Sequence, residues 1–332
     1  MDPANDGGSM RKVLALLFTM CLSAVLVVNL SGQQKAAAQT VSDPVIAAAG
    51  DIACAPPATR TSSKCHQQDT ANLLATGSYD AVLPVGDTQY ECGELSAFQA
   101  VYGPTWGQFK AISHPAVGDN EYAGSTCTTP GASGYFTYFG APASPLDQPC
   151  TQACKGYYSY DVGSWHIIVL NSECSQTGVG GCKSTSPQGK WLKADLAAHP
   201  AACTLAYWHR PYFTDGGGTS SRTRYFVKTL YAAHADVVLV GHKHFYERFA
   251  PMDPFQVADP NGIRQFIVGT GGKSHSSLAT TPPPNAEVRD KTAYGVLRLT
   301  LHAGSYDWQF VPEAGKTFTD SGAQACHSAP SL

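Results

Sequence analysis

Short apolar runs recur along the chain, and each stops at a glycine, an aspartate or a histidine. Pro44 to Ala49 runs into Gly50-Asp51, and Ala81 to Val85 runs into Gly86-Asp87. Thr204 to Trp208 stops at His209-Arg210-Pro211, and Asp236 to Val240 stops at Gly241-His242-Lys243-His244. Arg264 to Val268 stops at Gly269-Thr270-Gly271-Gly272. Runs this short, bounded by turn residues and often β-branched, read as buried strands. Between them lie helical patterns. Gln188 to Ala198 sets Trp191, Leu192 and Leu196 on one face, and Arg222 to Ala233 gathers Phe226, Val227, Leu230 and Tyr231. Such stripes predict amphipathic helices. Asp69 to Leu74 and Leu95 to Tyr102 carry weaker helical patterns. Two alternating pairs predict hairpins: Tyr157 to Asp161 with Trp165 to Leu170 around Gly163-Ser164, and Tyr294 to Leu301 with Tyr306 to Val311 around Ala303-Gly304. Residues 124–154 are rich in Gly, Ser, Thr and Pro and read as a long loop. Strands alternating with helices, with hairpins mixed in, predict a layered α/β domain with mixed sheets.

Composition narrows the class. The chain has 332 residues, 43% of them hydrophobic and 14% charged, with a formal net charge of −3. That balance gives no support to nucleic-acid or membrane-surface binding. Arg11-Lys12, the apolar run from Val13 to Leu30, and Ala36-Ala37-Ala38 read as a signal peptide over residues 1–38, with an uncleaved anchor as the other reading. Residues 43–315 are then the folded domain and 316–332 a C-terminal tail. Cys21 falls in the signal segment, and the other ten cysteines form no Cys-x-x-Cys pair. A disulfide framework in a secreted, extracellular protein follows. Cys54 with Cys65, and Cys174 with Cys182, are close enough in sequence to staple loops, but spacing leaves the connectivity open.

The candidate chemistry sits where the strands stop. Asp51, Asp87 with Tyr90, Asp119-Asn120, His209, and His242 with His244 all follow predicted strands or the turns after them. In α/β sheets, ligands collect beyond the carboxyl ends of strands. Each Gly-Asp alone is more often a turn. Taken together, carboxylates, a phenol and three imidazoles suit two metal ions that share Asp87 and clamp the oxygens of a phosphoryl displacement.

These motifs resemble those of the metallophosphoesterase (calcineurin-like) superfamily, and within it the purple acid phosphatases. The resemblance spans about Val45 to Val311. Gly86-Asp87-Thr88-Gln89-Tyr90 looks like the family's Gly-Asp-x-x-Tyr. Gly241 to Arg248 looks like its Gly-His-x-His-Ala-Tyr-Glu-Arg, with Phe245 for alanine, and His209 fits its separate histidine motif. The resemblance implies a four-layer αββα sandwich and a phosphate-monoester hydrolase of the acid phosphatase kind. A phosphodiesterase or nucleotide pyrophosphatase, and a degenerate phosphate- or metal-binding protein, are the alternatives. It also implies two metal ions, Fe with Zn, Mn or Fe. One would be held by Asp51, Asp87, Tyr90 and His244. The other would be held by Asp87, residue 119, His209 and His242. The third motif departs from the family's Gly-Asn-His-Glu, reading Gly118-Asp119-Asn120-Glu121. Asp119 then replaces the ligand asparagine and Asn120 the assisting histidine, unless a one-residue shift makes Asn120 the ligand. An amide donates hydrogen bonds but is no general acid; His114, just upstream, is the candidate replacement. Arg210 and Tyr246 are expected to meet a phosphate-ester substrate.

Overall fold

The computed structural model describes residues 42–122, 127, 130–215 and 220–327. The expected signal segment and Cys21 lie outside the described residues. In chain order the elements are β1 (Val45–Ala49), α1 (Gln67–Thr76), β2 (Ala81–Pro84), α2 (Leu95–Ala97, continued as a π-turn over Phe98–Tyr102), α3 (Asp119–Tyr122), α4 (Ser133–Phe139), β3 (Tyr158–Val162), β4 (Trp165–Val169), α5 (Pro187–Ala198), β5 (Cys203–Trp208), α6 (Arg224–Ala232), β6 (Val237–Val240), β7 (Tyr246–Phe249), β8 (Arg264–Val268), β9 (Ala286–Asp290), β10 (Gly295–Leu301), β11 (Ser305–Pro312) and β12 (Ser321–Ala325). They form a five-stranded sheet, β12-β11-β10-β1-β2, and a seven-stranded sheet, β3-β4-β5-β6-β8-β7-β9.

The sheets stack face to face with helices outside, which is the expected αββα sandwich. Strand alternation explains how each layer is filled. On β1, Ile46 and Ala48 face the inter-sheet core with Leu83, Val169, Leu205 and Leu239. Ala47 and Ala49 face the other way, against Ala71 and Leu74 of α1 and Phe98 and Tyr102 of the π-turn. Across the second sheet, Ala206, Trp208 and Val238 pack on Leu192 of α5 and Phe226 and Leu230 of α6. Strands buried on both faces read as continuous apolar runs, which is why β1, β2, β5, β6 and β8 are visible in the sequence. β4, β5, β6 and β8 run parallel, as do β1 and β2. Their carboxyl ends therefore gather at one edge of the sandwich.

Five disulfides join Cys54–Cys65, Cys92–Cys127, Cys150–Cys154, Cys174–Cys182 and Cys203–Cys326. The two pairs singled out by proximity both form. Within the segment expected as a tail, Ser321–Ala325 forms β12 on the edge of the smaller sheet, and the Cys203–Cys326 bond ties its end to β5. The expected loop over 124–154 contains α4, whose Tyr135, Phe136 and Phe139 are buried against the π-turn. Among the described residues, no helix is long and apolar enough to cross a membrane.

Candidate metal centre

Tight turns at the strand ends place the polar residues. Asp51, Asp87 and His242 adopt positive φ angles of 59°, 48° and 68°. Non-glycine residues reach this region only at a cost of order 1–3 kcal/mol each, so packing holds them there. Gly118 shows how little room is left: a Cβ on it would fall 2.2 Å from Oδ1 of Asp87. Gly86, at φ +78°, admits His209, whose ring atoms would lie 2.6 Å from its Cβ.

One half of the site joins Asp51, Asp87, Tyr90 and His244. The Tyr90 hydroxyl donates to Asp51 Oδ1 at 2.7 Å and lies 2.8 Å from Asp87 Oδ2. His244 Nε2 is 3.1 Å from the Tyr90 oxygen and 3.0 Å from Asp51 Oδ1, while its Nδ1 lies 2.9 Å from Ser274 Oγ. Burial and the Asp51 and Asp87 carboxylates push the Tyr90 phenol well above its usual range. Lys273 stands over the Tyr90 ring at 4.2 Å and pairs with Glu91.

The other half joins Asp87, Asp119, His209 and His242, whose ligand atoms all lie within 4.8 Å of one another. Asp119 Oδ1 is 3.0 Å from His209 Nε2 and 2.9 Å from His242 Nδ1. Burial opposes ionisation of Asp119, but hydrogen bonds and charge from His209 and His242 outweigh it and hold the carboxyl well below the usual range. Of the two residues weighed for the ligand position, Asp119 is the one against the imidazoles. Asn120 instead donates from its amide to Asp87 Oδ2 at 2.6 Å and from its backbone N–H to Asp87 Oδ1 at 2.8 Å.

A cation fits this donor set on the proton count. His209 Nδ1 lies 3.0 Å from the Val85 carbonyl, so that nitrogen carries the proton. In the neutral ring Nε2 then presents a lone pair. That nitrogen is fully buried and faces Asp87 Oδ2 at 3.2 Å as well as Asp119 Oδ1. Beyond these close imidazole–carboxylate approaches, neither His209 Nε2 nor Asp119 Oδ1 has a further hydrogen-bond partner. Lone pairs converging on one point are stable only around a positive charge, and a ligand imidazole characteristically donates its other N–H to a carbonyl or carboxylate.

Glu121 supports the site, a role that no motif assigned to it. It is completely buried and accepts from the backbone N–H groups of Gly118 (2.8 Å), Asp87 (3.1 Å), Thr88 (2.6 Å) and Gln89 (3.2 Å). The Thr88 hydroxyl adds a further donor at 2.7 Å. Burial and the Asp87 charge push its pKa up to about 7 against the pull of these donors. Its place in the first turn of α3, after the Gly-Asp-Asn run, is the signal by which it could be found. Glu173 offers no such signal.

Arg210 sits at the rim, its Nη2 2.9 Å from Asp119 Oδ2 and its Nε 2.7 Å from Glu173. Tyr246 requires a correction. It is fully buried on β7, donates to Asp320 at 2.7 Å and packs on Phe310 and Phe318, so it meets no substrate. Alternation along β7 turns Tyr246 and Arg248 toward Asp320 while Glu247 turns to the backbone of Asp215. His114 is also placed elsewhere, its ring stacked on Tyr160 at 3.8 Å. The glycine run after β8 spends its backbone on the fold, with Gly271 N–H on Gly50 and Lys273 N–H on Asp51.

The chain is similar to curated purple acid phosphatases. It is 33% identical over 158 residues to purple acid phosphatase 21 of Arabidopsis thaliana, covering 44% of this chain and 34% of that protein. It is 26% identical over 267 residues to human acid phosphatase type 7, covering 69% and 57%. It is 24% identical over 254 residues to a nucleotide pyrophosphatase/phosphodiesterase of Hordeum vulgare, covering 67% and 65%. The first of these matches thus spans about a third of its relative's length. The purple acid phosphatase PPD1 from yellow lupin seeds aligns over 86% of this chain and 54% of its own, with a TM-score of 0.60 at 18% identity. A search of family models finds no match. The fold is that of the metallophosphoesterase (calcineurin-like) superfamily, related at low to moderate identity to purple acid phosphatases. The site carries side chains able to coordinate metal ions.

Proposed function

We propose that the protein is a secreted hydrolase of phosphate monoesters that works through two metal ions. The observation that carries this reading is the convergence of Asp87, Asp119, His209 and His242, with His209 Nε2 turned into the cluster. Asp51, Asp87, Tyr90 and His244 would hold one ion, and Asp87, Asp119, His209 and His242 the other. Bound there, such ions lower the pKa of a water and neutralise phosphate oxygens. Fe paired with Zn, Mn or Fe suits a set of carboxylates, imidazoles and a phenol. The disulfides support an extracellular location.

The chain's own residues decide the rest. Val85 and Ser274 orient the His209 and His244 rings, which fixes the nitrogen each presents. Glu121 holds the Asp87 turn, the carboxylate common to both halves. Asn120 steadies Asp87 through its amide and has no proton to give a leaving group. General acid assistance is typically worth about 10²–10⁴-fold. Rates should therefore fall steeply as the pKa of the leaving group rises. Asn120→His should speed alkyl phosphates more than aryl phosphates. The test is kcat/KM over a leaving-group series for both proteins. An equal, shallow dependence in the two would show that another group already delivers the proton.

A phosphodiesterase or nucleotide pyrophosphatase is the second reading, favoured by the barley protein, which matches two thirds of this chain. Assaying paired monoesters and diesters of one alcohol separates the two readings.

A further inference from the structure

The site carries one charge more than its resemblance calls for, and the structure places a compensating charge against it. With aspartate where the related motif has asparagine, the donor set around His209 and His242 gains a negative charge. Asp119 Oδ1 faces the two imidazoles, and its other oxygen, Oδ2, meets Nη2 of Arg210 at 2.9 Å. The guanidinium is braced from behind. Its Nε donates to Glu173 Oε1 at 2.7 Å, and the Arg210 backbone N–H donates to Ser172 Oγ at 3.1 Å. Glu173 is itself buried at 4% exposure, with its own N–H on the Asn171 side chain at 3.0 Å. A planar guanidinium gripped this way is a fixed positive charge.

We propose that Arg210, braced by Glu173, is a positioning residue: the counter-charge that lets Asp119 stand where an amide would otherwise serve. This rests on the two-metal reading above. Asp119 and Arg210 then act as a unit whose sum equals that of a neutral amide with no arginine beside it. Substrate would meet a guanidinium already committed to two carboxylates and, through Nη1, to His242 Nε2 at 3.2 Å.

The consequence is a rescue. Asp119→Asn alone removes a ligand charge and leaves the Nη2 edge of Arg210, still paired through Nε with Glu173, facing the site without its carboxylate, so metal should be lost readily. Adding Arg210→Gln removes that unpaired cationic edge. The double variant should hold metal about tenfold more tightly than Asp119→Asn, a coupling within the range seen for contacting charged groups. Arg210→Gln by itself should hold metal measurably more tightly than the native protein. Glu173→Gln, which loosens the brace, should shift retention the same way by less. The measurement is metal content after dialysis against graded chelator, using the purified full chain and its variants loaded with Zn²⁺ or Fe³⁺. Thermal unfolding confirms that each variant is folded. Rescue in the double variant is the expected result. A double variant no better than Asp119→Asn would overturn the pairing. If Asp119→Asn does not fold, unchanged metal retention in Glu173→Gln would overturn it instead. A native protein that holds no metal would overturn the two-metal reading, and the pairing with it.

Discussion

His242→Ala and His244→Ala will each strip metal from the protein and abolish most turnover. The two rings stand two residues apart, yet they serve different halves of the site. His242 Nδ1 meets Asp119 Oδ1 at 2.9 Å, while His244 Nε2 meets Asp51 Oδ1 at 3.0 Å. The left-handed turn at His242 produces this divergence, with the His242 backbone N–H anchored on Asp51 Oδ2 at 2.8 Å. Losing a mere supporting partner of a metal ligand costs about 10–100-fold in affinity. Losing a ligand itself should cost at least the upper end of that range. Element analysis should show one ion fewer in each variant. Turnover of an aryl phosphate should fall by about 100-fold or more, the scale for removing one preorganised electrostatic contact. Native metal content and activity in either variant would remove that histidine from the site.

Glu121→Leu should be the most damaging substitution for the fold of the site. Leucine fills similar space but accepts nothing. It would leave the N–H groups of Asp87, Thr88, Gln89 and Gly118 facing an apolar side chain in a fully buried position. Each unsatisfied buried donor costs about 1–3 kcal/mol, and partial relaxation brings the sum to roughly 3–5 kcal/mol, at the severe end for single changes. For a domain of this size the melting temperature should fall by roughly 10 °C. The metal-loaded protein should lose more than the chelated one, because Asp87 serves both halves. Glu121→Gln keeps an acceptor oxygen and should fall between native and leucine. Scanning calorimetry with and without chelator measures both effects, and an unchanged melting temperature for Glu121→Leu would show that the turn does not depend on this carboxylate.

Most of the scaffold is legible in the sequence because the strands that carry the site are buried on both faces. β1, β2, β5, β6 and β8 leave apolar runs that end in turn residues. β9 and β12 leave no such mark. Ala-Glu-Val-Arg-Asp on β9 is partly exposed, and Ser-Gly-Ala-Gln-Ala on β12 is a polar edge with no β-branched residue. α4 escapes notice because Ser133 and Gly134 follow a Pro-Gly-Ala turn and look like more loop. In the site, the converging side chains are legible as strand-end residues. Tyr246 is not, because proximity in sequence to His244 says nothing about facing once a strand begins at 246. Glu173 and Ser274 reach the site only through tertiary packing, which no local pattern records.

Metal content measured alongside hydrolysis tests the central claim most directly. The purified protein should carry two metal ions per chain. Removing them should abolish monoester hydrolysis, and restoring them should bring it back in proportion to the ions bound. Full hydrolysis by the metal-stripped protein, or no metal uptake at all, would contradict the account.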